Sequence, residues 1–256
     1  MAHRMPALFI GHGSPMNAIE DNPWSRAWAA LPDEMPWPNA VLVVSAHWET
    51  EGIAVTIDEA PRTIHDFRGF PQALFDVTYP APGSPALGAR IAQLLAPKRV
   101  RPALDWGLDH GAWSILVKML PEAETPVAQL SLDRTLTPRE HYALGQALRP
   151  LRNEGVLVIG SGDIVHNLRA SDFRDPEPLD WARRFNEVTK RLILAEDHLA
   201  LADYEALGQD AALSINSAEH FLPLLYTLGL REPGEPVRFF NDDLFAALSM
   251  TSVFVG

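Results

Sequence analysis

The chain has 256 residues, 47% of them hydrophobic, with no cysteine and a formal net charge of −12. This acidic charge disfavours nucleic acid and anionic membrane surfaces as partners, and the lack of cysteine excludes a disulfide framework. No run approaches the roughly 20 apolar residues of a transmembrane helix, and Pro6 breaks the short apolar N-terminal stretch, a poor signal peptide. We therefore expect a cytoplasmic protein with a single domain over residues 1–256, bound to neither nucleic acid nor membrane; the sequence does not specify an oligomeric state.

Short apolar runs, most of them rich in β-branched residues, predict the strands of a sheet. In chain order the predicted strands are Ala7–Ile10, Ala40–Val44, Ile53–Ile57, Val127–Leu130, Val156–Ile159, Val237–Phe240 and Ser252–Val255. Continuous apolar runs of this kind suit strands that are buried on both faces, as in a sheet covered by helices.

Helical spacing and capping residues predict helices between these strands. Ser84 and Thr137 are N-cap candidates, each followed by a proline, and Glu140 completes a capping box with Thr137. Three predicted helices start at Pro85, His110 and Pro138, and a fourth runs from about Leu179 to Ala195. A fifth is capped by Ser217, carries His220 and ends at Gly229. Strands alternating with helices predict an α/β fold, a three-layer sandwich around a mixed, mostly parallel central sheet.

Four histidines follow predicted strands or begin a predicted helix: His12, His47, His166 and His220. Neutral imidazole is the commonest protein ligand for a transition metal. Without thiolates, nitrogen and oxygen must hold the metal, which is typical of a catalytic site more than of a structural one. Ligands collect beyond the carboxyl ends of strands in such sheets. If the strands before the first three histidines are parallel neighbours, these side chains meet at one edge, and His220 can close the site from the side.

Two histidines with one more donor and open coordination positions are typical of non-haem Fe(II) oxygenases. Open positions let a substrate and dioxygen bind side by side. A nearby histidine that does not bind the metal can move protons, because its pKa lies near neutrality.

Eight motifs occur in order along the chain. They are Gly11–Met16, Ser45–Trp48, Thr63–Phe67, Gly69–Pro71, Tyr79–Gly83, Asp109–Gly111, His166–Leu168 and Glu219–Leu224. Together they resemble the DODA-type class III extradiol ring-cleavage dioxygenases, the 4,5-DOPA dioxygenase relatives of the LigB superfamily, from about Met5 to the C-terminus. The resemblance implies a LigB-like sandwich and the oxidative opening of a catechol ring next to its two hydroxyls.

The resemblance also implies roles for individual residues. In this family the residues matching His12, His47 and His220 look like metal ligands, and the residue matching His166 is a fourth ligand or the acid/base. The residue matching His110 lies near the substrate and is the other candidate acid/base. The implied cofactor is Fe(II), with Zn(II) able to occupy the same site. The implied partners are a small aromatic catechol, such as DOPA, and O₂.

Two stretches depart from the family pattern. Asp163 stands where a neutral residue is expected, and it either orients a ligand histidine or raises the pKa of His166. Residues 214–219 lack the usual prolines and can reshape the mouth of the substrate site.

Several further side chains have two interpretations. His65 lies in a substrate-lining loop or in a surface turn capped by Asp66, and Trp113 or Trp106 can pack against an aromatic substrate. Arg68 can pair with a substrate carboxylate. Polar or terminal surroundings predict surface positions for His3, His141 and His198.

Two other functions compete with the metal-dependent dioxygenase. A zinc hydrolase would use the same histidines to hold a water, with Glu219 or Asp163 as base. A non-enzymatic, Memo-like binding module would keep the fold with altered ligands, and the presence of all four histidines plus His110 argues against it. Metal identity and dioxygen uptake separate the two enzymes.

Overall fold

A computed structural model of the chain describes residues 4–172 and 174–256. Over these ranges the strands are β1 (Ala7–Gly11), β2 (Ala40–Thr50), β3 (Ile53–Thr56), β4 (Val100–Ala103), β5 (Val127–Asp133), β6 (Val156–Gly162), β7 (Val237–Phe240), β8 (Leu244–Phe245), β9 (Leu248–Ser249) and β10 (Ser252–Val255). The α-helices are α1 (Pro23–Ala30), α2 (Gln72–Phe75), α3 (Pro85–Leu94), α4 (His110–Met119), α5 (Pro138–Ala147), α6 (Pro150–Asn153), α7 (Asp180–Leu194), α8 (His198–Ala202), α9 (Gln209–Ser214) and α10 (Leu222–Leu230). Short 3-10 helices cover Pro15–Ala18, Leu31–Glu34 and Tyr204–Leu207.

The central sheet has eight strands in the order β4-β3-β5-β2-β6-β1-β10-β7. The middle of the sheet is parallel, because β6 pairs in parallel with both β2 and β1, and β2 pairs in parallel with β5. Antiparallel pairs join β3 to β5, β1 to β10 and β10 to β7. The prediction of a mixed, mostly parallel sheet is confirmed. Strands β8 and β9 form a separate antiparallel ribbon.

Helices cover both faces of this sheet, as predicted. Side chains alternate along each central strand: Leu42 of β2 belongs to one apolar cluster and Val43 to the other. The first cluster includes residues of α5, α7 and α10, and the second includes residues of α1 and α4. The two clusters and the sheet between them make the three-layer sandwich.

Local signals placed most of these elements correctly. The Ser84 hydroxyl accepts a hydrogen bond from the Leu87 amide at the start of α3, and Thr137 and Glu140 form the capping box of α5. Strand β2, however, continues well beyond its predicted end at Val44, because pairing with β5 resumes after a register shift between Val44 and Glu49. His47 therefore lies within a strand and not after one.

The predicted boundaries of the last helix are wrong. Helix α10 begins at Leu222, so His220 precedes it, and the Ser217 hydroxyl donates to Glu219 instead of capping. Gly229 lies inside the helix, where a Cβ would come 2.5 Å from the Tyr142 carbonyl oxygen. This glycine therefore permits close packing of α10 on α5, and it does not end the helix.

Two histidines expected on the surface are buried. His141 is 0% exposed and its Nδ1 lies 3.0 Å from the Tyr226 hydroxyl, while His198 is 6% exposed with Nδ1 3.3 Å from the Tyr142 hydroxyl. A tyrosine hydroxyl on a neighbouring element thus supplies each ring with a polar partner inside the core, which the polar local sequence does not indicate. His3 lies outside the described residues.

Burial of His141 predicts a loss of stability in acid. Burial lowers its pKa to about 4, whereas an unfolded histidine titrates near 6.5. The unfolded chain therefore takes up this proton first, and stability falls as the pH drops from about 6.5 towards about 4. Between about pH 7 and about pH 5 we expect the wild type to lose about 2 kcal/mol more than His141→Asn, measured by urea unfolding. Tyr226→Phe keeps the imidazole and is expected to keep the steep pH dependence. Parallel curves for wild type and His141→Asn would contradict the prediction.

Across the part of the chain that the structure describes, no helix is both long enough and apolar enough to cross a membrane. The cytoplasmic location stays a prediction.

Candidate active site

The histidines singled out in the sequence meet at one edge of the sheet. His12 directly follows β1, His47 lies in the extension of β2, and His166 follows β6 by four residues. Because β2, β6 and β1 are adjacent and parallel, their carboxyl ends bring these side chains together. The rings of His12 and His47 lie 5.0 Å apart between centroids. His220 reaches the site from the loop before α10, and its ring stacks on His166 at 3.5 Å.

A fifth imidazole belongs to the same cluster. His110 is the first residue of α4, and its ring lies 3.9 Å from His47 and 5.7 Å from His12. Asp109 caps this helix by accepting from the Ala112 amide, and Ser45 and Gln129 hold the buried Asp109 carboxylate. The start of α4 is therefore fixed to the strands on which His47 and Gln129 lie.

The hydrogen bonds around His12 show that its Nδ1, the nitrogen that faces away from the cluster, carries the proton. His12 Nδ1 lies 2.9 Å from the Ser161 hydroxyl oxygen, and that hydroxyl donates its own hydrogen to the Gly111 carbonyl at 2.5 Å. Ser161 must then accept from His12 Nδ1–H. This tautomer leaves the Nε2 lone pair of His12 directed into the histidine cluster.

Carboxylates accept from Nδ1 of two other histidines, His110 and His220, and a carboxylate also lies beside His47. One carboxylate, Asp66, lies 3.3 Å from Nδ1 of His47 and 2.9 Å from Nδ1 of His110, and it also accepts from the His110 amide. Glu219 lies 3.0 Å from Nδ1 of His220. Each carboxylate can only accept, so Nδ1 of His110 and of His220 carries the proton and the Nε2 atoms of these two rings keep their lone pairs. Nδ1 of His47 lies within ion-pair distance of Asp66. One interpretation of the sequence had Asp66 cap a surface turn; its carboxylate instead accepts from the amide and Nδ1 of His110, the first residue of α4.

The inner nitrogens are placed as metal ligands would be. The Nε2 atoms of His12 and His47 lie 3.1 Å apart, and the Nδ1 proton of His12 points away from them, to Ser161. Two nitrogens that each lie about 2.1 Å from one ion are about 3.0 Å apart at a 90° angle and about 3.4 Å apart at the tetrahedral angle. Burial lowers the pKa of both rings well below the ordinary range, so both are neutral near pH 7, in the ligating form. The donor set fits a divalent transition metal.

The donors form three overlapping groups in which ligand atoms lie within 4.8 Å of one another. The groups are His12 with His47 and His110, His12 with Asp163 and His220, and His166 with Glu219 and His220. Burial, followed by the neighbouring His220, lowers the pKa of His166 to about 3. The structure therefore brings together His12, His47, His110, His166 and His220, and it adds three carboxylates around them.

Asp163 does not raise the pKa of His166, which was one of its two interpretations. Its Oδ2 lies 3.7 Å from Nε2 of His12, and its Oδ1 accepts from the Gly13 amide. Oδ2 has no hydrogen-bond partner among residues 4–172 and 174–256. Asp163 thus lies beside the inner nitrogen of His12 and offers an oxygen donor to the cluster.

A cavity of about 660 Å³ opens onto the histidine cluster. Its wall is aromatic and aliphatic, formed by Pro15, Trp24, Phe67, Phe70, Leu168, Phe245, Leu248 and Met250. The sequence motifs contained Phe67 and Phe70, but no local signal marked Trp24 or the residues of the β8–β9 ribbon as part of the site. The volume lies in the range of small-molecule sites.

His65 and Trp113, expected to contact the substrate, do not line this cavity. His65 Nε2 lies 3.0 Å from the Val77 carbonyl, and the fully buried Trp113 donates from Nε1 to the Ile64 carbonyl. Both rings pack against Phe67, at 5.7 and 6.1 Å between centroids. They support the wall from behind and do not form its surface. Arg68 is exposed and also lies outside the lining.

The bridge made by Asp66 leads to a prediction for Asp66→Asn. The neutral amide has one oxygen in place of two and no charge, so it cannot accept from His110 while also facing Nδ1 of His47 as the carboxylate does, and both rings lose their common partner. We expect metal affinity to fall about 10- to 100-fold, as is typical for partners of ligand histidines. Metal titration of apo-protein measures this, with Asp76→Asn, an exposed residue bonded to Gln72, as matched control. Equal affinities in the two variants would refute a role for the bridge.

Comparisons with known proteins agree with this geometry. The family profile described as "Catalytic LigB subunit of aromatic ring-opening dioxygenase" matches residues 6–240. A "4,5-DOPA dioxygenase extradiol" of Escherichia coli (strain K12) is 47% identical over 262 residues, which cover 99% of this chain and 95% of that protein. A protein of the same description from Beta vulgaris is 41% identical over 228 residues, 87% of this chain and 85% of its own. The crystal structure of an uncharacterized protein from Escherichia coli K12 has a TM-score of 0.87 and 41% identity, with 99% of this chain and 100% of that chain covered.

Proposed function

The chain belongs to the LigB family of aromatic ring-opening dioxygenases and is an extradiol dioxygenase, and on this premise we propose that it cleaves a catechol with O₂ at an Fe(II) site. The family resemblance inferred from the eight motifs is confirmed, as is the LigB-like fold. The observation that carries the proposal is the pair of Nε2 atoms of His12 and His47, which lie 3.1 Å apart at the end of a cavity large enough for an aromatic substrate.

We assign His12, His47 and His220 as metal ligands, the set that the family resemblance implies. Ser161 and Glu219 hold Nδ1 of His12 and of His220 and leave Nε2 for the metal, and Nε2 of His47 lies 3.1 Å from that of His12. His166, stacked on His220, is the candidate fourth ligand or an acid/base. Bound Fe(II) would supply the one-electron chemistry that couples a chelated catechol to O₂, whereas Zn(II) in the same site has no redox chemistry.

His110 has the surroundings of a proton acceptor. It lines the cavity, and its Nδ1–H is held by Asp66, so Nε2 is the atom that can take a proton from a catechol hydroxyl. The Asp66 carboxylate then stabilises the resulting imidazolium, which is the part an acidic partner plays for a catalytic histidine. The apolar wall excludes water and orients the ring towards the histidines.

The competing functions have less support. Glu219, one candidate base of a zinc hydrolase, already accepts from His220 and Ser217. The names of the relatives describe dioxygenases, neither hydrolases nor binding modules.

The test is dioxygen uptake by apo-protein reloaded anaerobically with Fe(II), on a panel of catechols, beside a Zn(II)-loaded sample. We expect uptake and a coloured ring-opened product with Fe(II) alone. No uptake with any catechol, in protein that holds one Fe(II) per chain, would overturn the proposal.

A further inference from the structure

The wall of the cavity is unusual in its lack of charge. Beyond the histidines, the residues that line it within the described ranges include no lysine, arginine, aspartate or glutamate. Ser14 contributes a hydroxyl, which accepts from the Met16 amide. The remaining surface is the aromatic and aliphatic wall described above. A substituent on a bound ring therefore meets carbon and sulfur atoms on most sides.

The cationic residues that are closest in sequence to the lining residues do not themselves line the cavity. Arg68 and Arg169 directly follow the lining residues Phe67 and Leu168, but both are exposed and neither lines the cavity. A solvent-exposed guanidinium stabilises an anion inside an apolar cavity only weakly, because water and salt screen the attraction between the two charges.

The charges nearest the site are negative. The carboxylates of Asp66 and Glu219 contact histidines of the cluster, and the chain carries a formal net charge of −12. Burial raises the pKa of the nearby Asp163 well above its usual range, so this carboxyl adds less negative charge. A carboxylate on the substrate would lose its hydration on entry and would find no cationic side chain on the wall. An apolar substituent avoids both costs and gains from burial against Trp24, Phe245 and Leu248.

We infer that the preferred substrates are catechols with an uncharged, apolar ring substituent, such as an alkyl chain, in place of the charged amino-acid side chain of DOPA. This inference rests on the proposed function for the reaction, but it concerns which catechol the cavity selects. It distinguishes this chain from what the names of its relatives state about theirs.

The test compares two catechols of similar size, 4-propylcatechol and 3-(3,4-dihydroxyphenyl)propionate, with DOPA as a third. We expect kcat/KM of the Fe(II)-loaded enzyme to be at least about tenfold higher for 4-propylcatechol, since burying an unpaired charge is costly. Calorimetric titration of the Zn(II)-loaded protein is expected to give the same order of affinities without turnover.

The binding arm separates the two proposals. Tighter binding of 4-propylcatechol with no turnover of any catechol would overturn ring cleavage and support the inference. Turnover of all three compounds with equal or better values for the two charged ones would overturn the inference and leave ring cleavage standing. A preference for the charged compounds that is lost in Arg68→Ala or Arg169→Ala would overturn it as well, since a rim arginine would then recognise the carboxylate.

A gain-of-charge variant tests the wall itself. Leu168 lines the cavity and Leu199 on α8 does not, and both are 49% exposed, which makes them a matched pair. Leu168→Arg is expected to shift the ratio of kcat/KM towards the propionate by about tenfold, as one added ion pair allows. Leu199→Arg is expected to leave the ratio unchanged. Equal ratios in the two variants would count against charge selection by the wall.

Discussion

Replacing His12 with alanine is expected to abolish metal binding and to lower kcat/KM for catechol cleavage by roughly a thousandfold or more, because the metal no longer holds the two reactants together. His12 belongs to two of the three donor groups, and its Nε2 is paired with that of His47. Its loss also leaves the Ser161 hydroxyl without its imidazole donor. Metal content after dialysis and dioxygen uptake measure the two effects.

The matched control is His198→Ala. His198 is also a buried histidine whose ring lies beside a hydroxyl, but it lies on α8, outside the cluster. We expect this variant to lose stability and to keep both its metal and its kcat/KM. If His12→Ala retained one metal per chain with normal affinity, the assignment of His12 as a ligand would be wrong.

The second large effect is expected for His110→Asn. The asparagine amide can replace Nδ1 in the hydrogen bond to Asp66, while the atom at Nε2 is removed. We expect kcat to fall by about 10²- to 10⁴-fold, the usual contribution of a general acid or base. Metal content and catechol affinity are expected to stay close to those of the wild type, and stopped-flow turnover with metal analysis measures both.

His110→Asn also separates two roles that the geometry permits. His110 forms a donor group with His12 and His47, so a ligand role predicts loss of metal from this variant. Loss of the metal would therefore contradict the acid/base assignment. The same pair of measurements on His166→Gln decides between the fourth-ligand and acid/base interpretations of His166.

Much of the fold follows from local patterns. Each of the seven predicted apolar runs became a strand, because a continuous run of apolar residues is stable only when both faces of a strand are covered. The N-caps Ser84 and Thr137 begin helices as expected, since a side-chain oxygen satisfies the free amides of a first turn. Strand β4 was missed because Val100–Ala103 contains an arginine and a proline and has little apolar character.

The sequence by itself placed His12, His47 and His166 beyond apolar runs, so that their side chains meet if those strands are parallel neighbours. The tertiary structure made these strands parallel neighbours in the sheet. Only the tertiary structure decided which nitrogen of each ring faces inward. That choice depends on Ser161, Asp66 and Glu219, and Asp66 lies 44 residues from His110. The tertiary structure also determines which residues form the cavity wall and that His141 is buried. Contacts between residues distant in sequence set these features, and no local periodicity, cap or turn signal encodes such contacts.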